Sequence, residues 1–210
     1  GCTALLLTGL GLSDAINDII DKQFGEITKY NATIVTDEDL DAADEARLDE
    51  VLGKTGYVSD SMRIMRANMV ANAGGDEMHV QTVVPQDPAA LGDFVLMRTR
   101  VGHVSLELGQ DGIVLAEKLA TELGVDAGDT VTLCEQDAMG NATGEAHELV
   151  VTGVMENYIY NYVFMGPHAY EQAWGEEPAF DAVFAVSTTD ADARARFGEE
   201  LRAIDGVKTV

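Results

Sequence analysis

The stretch Asp111 to Leu133, DGIVLAEKLATELGVDAGDTVTL, constrains this chain more than any other. Leu115, Leu119 and Leu123 recur at every fourth position with Glu117, Lys118 and Glu122 between them, which predicts an amphipathic helix. Gly124 follows where a helix end favours a residue tolerant of positive φ. Ala127-Gly128-Asp129 then turns the chain into Thr130-Val131-Thr132-Leu133, which has β composition. None of these residues carries catalytic chemistry, so the stretch is a structural signature read by what surrounds it.

The chain before it starts with an apolar run. Ala4 to Leu12 is apolar on every side, with no basic segment before it and no small-residue cleavage site after it. This reads as the outer end of a truncated membrane helix, since no stretch of about twenty apolar residues is present. Leu12, Ile16, Ile19, Ile20, Phe24 and Ile27 then fall at helical spacing, with Asp14, Asp18, Asp21 and Lys22 between them. One long helix over about 4–24 is expected, docking one stripe on a soluble domain. Gly9 and Gly11 do not make a nucleotide loop, because no strand precedes them.

Asn31 to Val35 reads as a strand, and Thr36-Asp37-Glu38-Asp39 as a helix start with acids in the first turn. Leu40, Leu48, Val51 and Leu52 give that helix its buried side, and Gly53 or Gly56 its end. The nearby acids lack the glycine and terminal glutamate of a calcium loop, so they read as a solvated face. Met62 to Val70 and Glu77 to Val84 are strands around the turn signal Asn72 to Asp76, with Met62, Met65 and Met69 as core filler. Asp87-Pro88 marks a capped turn.

After the signature, a strand at 130–135 and one from His147 to Val154 form a second hairpin around the tip at 137–144. Tyr158, Tyr160, Tyr162 and Phe164 then alternate strictly, which predicts one face of a β-strand. Core packing and an exposed docking face both fit. The expectation is mixed use, with Tyr158 and Phe164 buried and Tyr160 or Tyr162 a candidate interaction surface. Pro167 opens a short helix closed by Gly175. A β-α-β unit closes the chain: a strand through Phe180, Ala182, Phe184 and Val186, a helix capped by Asp190, and a strand from Val207.

The chemistry is sparse. His79, His103, His147 and His168 share no metal-ligand spacing with one another or with Cys2 or Cys134, so no metal, cofactor, catalytic site or disulfide is expected. No serine elbow, P-loop or zinc-protease motif occurs. Thirteen basic against 37 acidic residues give a net charge of −24, which excludes nucleic acid and anionic head groups as charge-driven partners. A non-enzyme is the leading reading. A secreted enzyme acting through cleft carboxylates would need perturbed acids that the sequence does not reveal.

With these segments placed, the chain resembles the extracytoplasmic domain of an FtsX-like, MacB-type ABC transporter permease. Gly1 to Ile27 resembles the outer end of that family's first membrane helix and its stalk. Asp111 to Leu133 resembles its helix and "GV-x-x-GD" turn, and Val151 to Tyr170 its following strand, aromatic run and Pro-led helix. The stretch at 31–100 is not placed by motif. The resemblance implies an α+β fold: a porter-like unit at 28–100 and 177–210, an inserted β-rich unit at 101–176, and a membrane-helix end with stalk at 1–27. It also implies a domain on the extracytoplasmic side of the cell membrane, a cytoplasmic ATPase partner reached through the membrane part, and a second permease copy. The outer partner would be an extracellular peptide, lipoprotein or cell-wall protein, exported, signalled by or activated. A secreted or surface binding module without a transport role is the alternative. A DNA-binding swapped-hairpin module shares the L-G-V-x-x-G-D pattern, but lacks a basic face.

Overall fold

The sixteen-residue strand β2 (Val58–Ala73) is the spine of the molecule. Its first half pairs with β9 (Ala182–Ser187), and Met69 to Asn72 pair with β5 (Thr130–Gln136). Its other edge runs along β3 (Asp76–Pro85) from Ile64 to Ala73. The hairpin turns through Gly74 and Gly75, both at positive φ (62° and 100°), where a side chain would be strained.

The computed structural model describes residues 15–210. A helix at 15–22, α1, runs into a π-helical turn, Gln23–Ile27. Next come β1 (Ala32–Thr36), α2 (Ala42–Leu52), β2 and β3, then a 3-10 turn (Pro88–Asp93). The second half holds β4 (Ile113–Ala116), α3 (Glu117–Leu123), β5, β6 (Ala142–Val150) and β7 (Gly153–Met155). It ends with β8 (Tyr162–Met165), α4 (Pro167–Trp174), β9, α5 (Ala191–Arg202) and β10 (Val207–Thr209). One ten-stranded sheet runs β10-β1-β9-β2-β3-β8-β4-β7, with β5 joined to β2 and β6 to β5. The fold is α+β, mixed in strand direction.

Helices cover both ends of this sheet. Under α3 and α4, Met65, Met69, Leu115, Leu119, Leu133 and Met165 form one core. Against α2 and α5, Ile34, Leu48, Val51, Phe197 and Leu201 form another. A third lies beneath the 3-10 turn, where Ile27, Ile64, Leu91, Phe94, Met97 and Phe164 meet. Burying each such side chain contributes about 1.5–3 kcal/mol before the entropy of ordering it. Glu200 ties α5 to the end of α2, accepting from Lys54 Nζ at 2.6 Å and Tyr57 Oη at 2.7 Å.

Several boundaries fall as the sequence predicts. Pro167 opens α4 and Gly175 closes it at φ 76°, Asp190 caps α5, and Asp87 accepts the amide of Ala89 at 3.0 Å ahead of Pro88's turn. The three methionines Met62, Met65 and Met69 are all buried. His147 half-buries itself against Trp174, ring centroids 4.4 Å apart.

Other expectations are overturned. Ile113 to Ala116 is a strand, not the first turn of a helix. It lies between β8 and β7, buried at all four positions, and four apolar residues in a row serve a doubly covered strand as well as a helix. Only Glu117–Leu123 is helical. The helix expected from Thr36 begins five residues later. Thr36 still belongs to β1, Asp37 donates its amide to the Gly206 carbonyl, and Asp41 is the cap, accepting from Ala43 and Asp44. The stripe of α1 does not dock: Ile16, Ile19, Ile20 and Phe24 are exposed, and only Gln23 and Ile27 are buried. The part of the expected long helix before residue 15, with Cys2, lies outside the described residues, among which no helix is long and apolar enough to cross a membrane.

Candidate functional site

The root of α1 is fixed to the domain by a polar residue. Gln23 is 3% exposed, although it interrupts an otherwise apolar stripe. The π turn closes with the amide of Thr28 on the Gln23 carbonyl at 2.7 Å. Such turns often occur where a helix meets a functional segment. Gln23 Nε2 donates to Asn157 Oδ1 at 2.9 Å and to Thr28 Oγ1 at 3.0 Å, while its Oε1 accepts the amide of Tyr158 at 2.8 Å. Asn157 passes the grip onward, donating to the carbonyls of Ile159 at 2.7 Å and Tyr160 at 3.2 Å. All the polar atoms of the Gln23 amide are therefore committed, as burial demands.

An ionic layer lies beside it. Arg98 reaches Glu26 at the end of α1 and the buried Glu156, both at 2.7 Å. Tyr158 donates its hydroxyl to the other Glu156 oxygen. Burial pushes the Glu156 carboxyl up, but the Tyr158 hydroxyl and the Arg98 guanidinium more than offset this, so it titrates below the ordinary carboxylate range. Burial and the neighbouring Glu156 push the Tyr158 phenol up to about 12. α1 is thus held to the segment 156–160 by an amide clamp and an ion-pair clamp.

That same segment displays the predicted tyrosines. Tyr158 to Asn161 is a bend rather than a strand, with Tyr160 in the left-handed region at φ 66°. Strict alternation therefore does not place the four rings on one face. Phe164 is buried and Tyr158 half-buried, while Tyr162 is half-buried and Tyr160 is 70% exposed. Tyr160 meets Tyr162 edge-on with centroids 5.9 Å apart, and Tyr30 stacks on Phe184 at 3.9 Å. Between them and Phe24 lies a cleft of about 460 Å³, with an adjoining recess of about 300 Å³ that shares Tyr30, Thr33, Tyr160 and Tyr162.

The structure brings Tyr160 and Tyr162 together at this groove. Sequence reasoning missed Gln23, Tyr30, Arg66, Arg98, Glu156 and Asn157. A lone glutamine inside an apolar stripe was the available signal for the first, but a polar residue at that spacing looks solvated until its partners are known.

The family model for the MacB-like periplasmic core domain matches residues 1–204. Among solved structures, the chain is similar to the extracellular domain of the noncanonic ABC-type transporter YknZ from Gram-positive bacteria. That likeness has 15% identity over 85% of this chain and 97% of that one, with a TM-score of 0.51. The periplasmic region of MacB from Actinobacillus actinomycetemcomitans shares 11% identity over 84% of this chain and 83% of that one, with a TM-score of 0.49. No curated protein matches the sequence at a significant level. The chain belongs to the MacB-like periplasmic core domain family, the extracytoplasmic domain of an ABC-type transporter permease.

Proposed function

We propose that this domain converts movement of its stalk, α1, into movement of an outer binding surface. The observation that carries this reading is the double clamp. Gln23 and Glu26, in the π turn that ends α1, grip Asn157, Tyr158 and, through Arg98, Glu156, so displacement of α1 reaches the Tyr160 loop without a flexible joint between them. Bistable or rigid elements of this kind transmit displacement, whereas a loose linker absorbs it.

In that role a cytoplasmic ATPase drives the permease from across the membrane, and a second permease copy completes the machine. The outer surface then handles an extracellular peptide, lipoprotein or cell-wall protein, by export, signalling or activation. The domain works by binding and motion rather than by turnover. Residues 101–176, with the Tyr160 loop, serve as the outward unit inserted in the porter-like part.

Cutting both clamps in the full permease, with Gln23→Leu and Glu26→Gln together, tests this. The expected result is a transporter whose ATPase still turns over while its outer output is lost. Output at the wild-type level with both clamps cut contradicts the reading.

A further inference from the structure

Building on that coupling reading, we propose that the groove beside Tyr160 recognises the free carboxylate end of an apolar polypeptide segment, with Arg66 as the partner of the anion.

Three arginines of the described residues are half-buried: Arg63, Arg66 and Arg98. Arg63 holds Glu45 and Asp49, and Arg98 holds Glu26 and Glu156. The Arg66 guanidinium makes no ion pair among the described residues, although acids outnumber bases 37 to 13 in the chain. Its backbone amide is satisfied by Asp181 at 2.9 Å, while its side chain lines the recess with Tyr30, Gln81, Tyr160 and Tyr162. A partly desolvated guanidinium is a strong carboxylate donor. In a chain with so many acids, one left without an internal partner marks a place where an anion from outside is the missing partner.

The walls supply the rest of the ligand's description. Arg66 sits on the sheet face that continues from Ile64 and Phe184, and Val83 and Tyr162 extend that face across β3 and β8. Aromatic rings on both sides favour an apolar side chain next to the carboxylate. Thr33 and Gln81 add a hydroxyl and an amide along the rim, whereas the Asn31 amide is held by Ser187. A peptide backbone can satisfy such groups, whereas an acyl chain would desolvate them without return. The net charge of −24 repels polyanions at long range, which favours a single carboxylate on an apolar body over an acidic stretch. The strained Tyr160, held at φ 66° by Asn157 and 70% exposed, is a backbone outlier of the sort found at ligand clamps.

The test is a calorimetric titration of the 210-residue chain with three probes: acetyl-Ala-Leu-Phe as the free acid, the same peptide as its C-terminal amide, and decanoate. The free acid should bind about tenfold or more tightly than the amide, the gain of one charge-assisted pair. Arg66→Gln should erase that difference, and Tyr160→Ala should weaken acid and amide alike. Equal binding of acid and amide to the wild type overturns the proposal, and that comparison needs no variant to fold. Undiminished binding by a folded Arg66→Gln also overturns it, as does decanoate binding where the peptide acid does not. Glu26→Gln, which cuts the Arg98 clamp outside the groove, should leave this titration unchanged, so loss of coupling and loss of recognition are read separately.

Discussion

Gln23 and Asn157 stand 134 residues apart in sequence and share a buried amide–amide hydrogen bond of 2.9 Å. Both side chains are almost wholly removed from water, at 3% and 5% exposure. Between them they fix the end of α1 to the loop that presents Tyr160.

Removing one member should therefore be costly. Gln23→Leu leaves Asn157 Oδ1 and the Tyr158 amide without their partner, a loss of about 1–3 kcal/mol. Ile20→Ala, on the exposed side of α1, should stay within about 0.5 kcal/mol. Urea unfolding of the two variants checks this; equal midpoints would mean that the clamp is not a structural joint.

Glu156 gives the clamp a pH dependence. Its folded pKa lies below its unfolded value, so its contribution is present at neutral pH and above the unfolded value. It disappears as pH falls below about 4 through the lower folded value. Thermal unfolding of wild type and Glu156→Gln should differ at pH 7 and converge toward pH 3. Taking the difference cancels the general relief of acidic repulsion that a chain of charge −24 gains on acidification. A gap that persists unchanged at pH 3 contradicts the assignment.

Thr82 offers a gain rather than a loss. It is fully buried between Val80 and Val84 on β3, and its hydroxyl has no partner among the described residues. Thr82→Val removes an unsatisfied group at nearly constant shape and should stabilise by about 1–2 kcal/mol. Calorimetric unfolding would show the higher midpoint.

Gly166 is needed for space rather than for conformation. Its φ and ψ, −65° and 145°, suit any residue, yet a Cβ there would lie 2.1 Å from the Gln110 carbonyl oxygen and 2.3 Å from that of Gly109. Both obstacles are backbone, so Gly166→Ala must displace the loop that meets the start of α4, at a cost of about 3 kcal/mol or more. An alanine variant as stable as wild type would show that this loop yields easily.

The legible parts of the fold are those marked by local chemistry. Pro167 and Gly175 bracket α4, Asp190 caps α5, and Gly74-Gly75 closes the β2–β3 hairpin because each residue satisfies a backbone demand within a few positions. Ile113 to Ala116 was illegible because its strand state is decided by β7 and β8, which come much later in the chain. The aromatic alternation misled for a related reason: the Asn157 amide holds the carbonyls of Ile159 and Tyr160 and bends the chain before β8 begins. At the site, Tyr160 and Tyr162 stood out as rings, while Gln23 and Arg66 did not. Their roles depend on what faces them, which no spacing records.

With both clamps in place, α1 and the sheet should move as one body. The most direct measurement is a spin-label distance between Ile20→Cys on α1 and Glu77→Cys on β3, with Cys2 and Cys134 replaced by serine, in the assembled transporter with and without nucleotide. One narrow distance, the same in both states, is expected, with a broadened distribution once Gln23→Leu is added. A wild-type distance that shifts between nucleotide states would contradict it, because α1 would then be hinging at the clamp instead of carrying the domain with it.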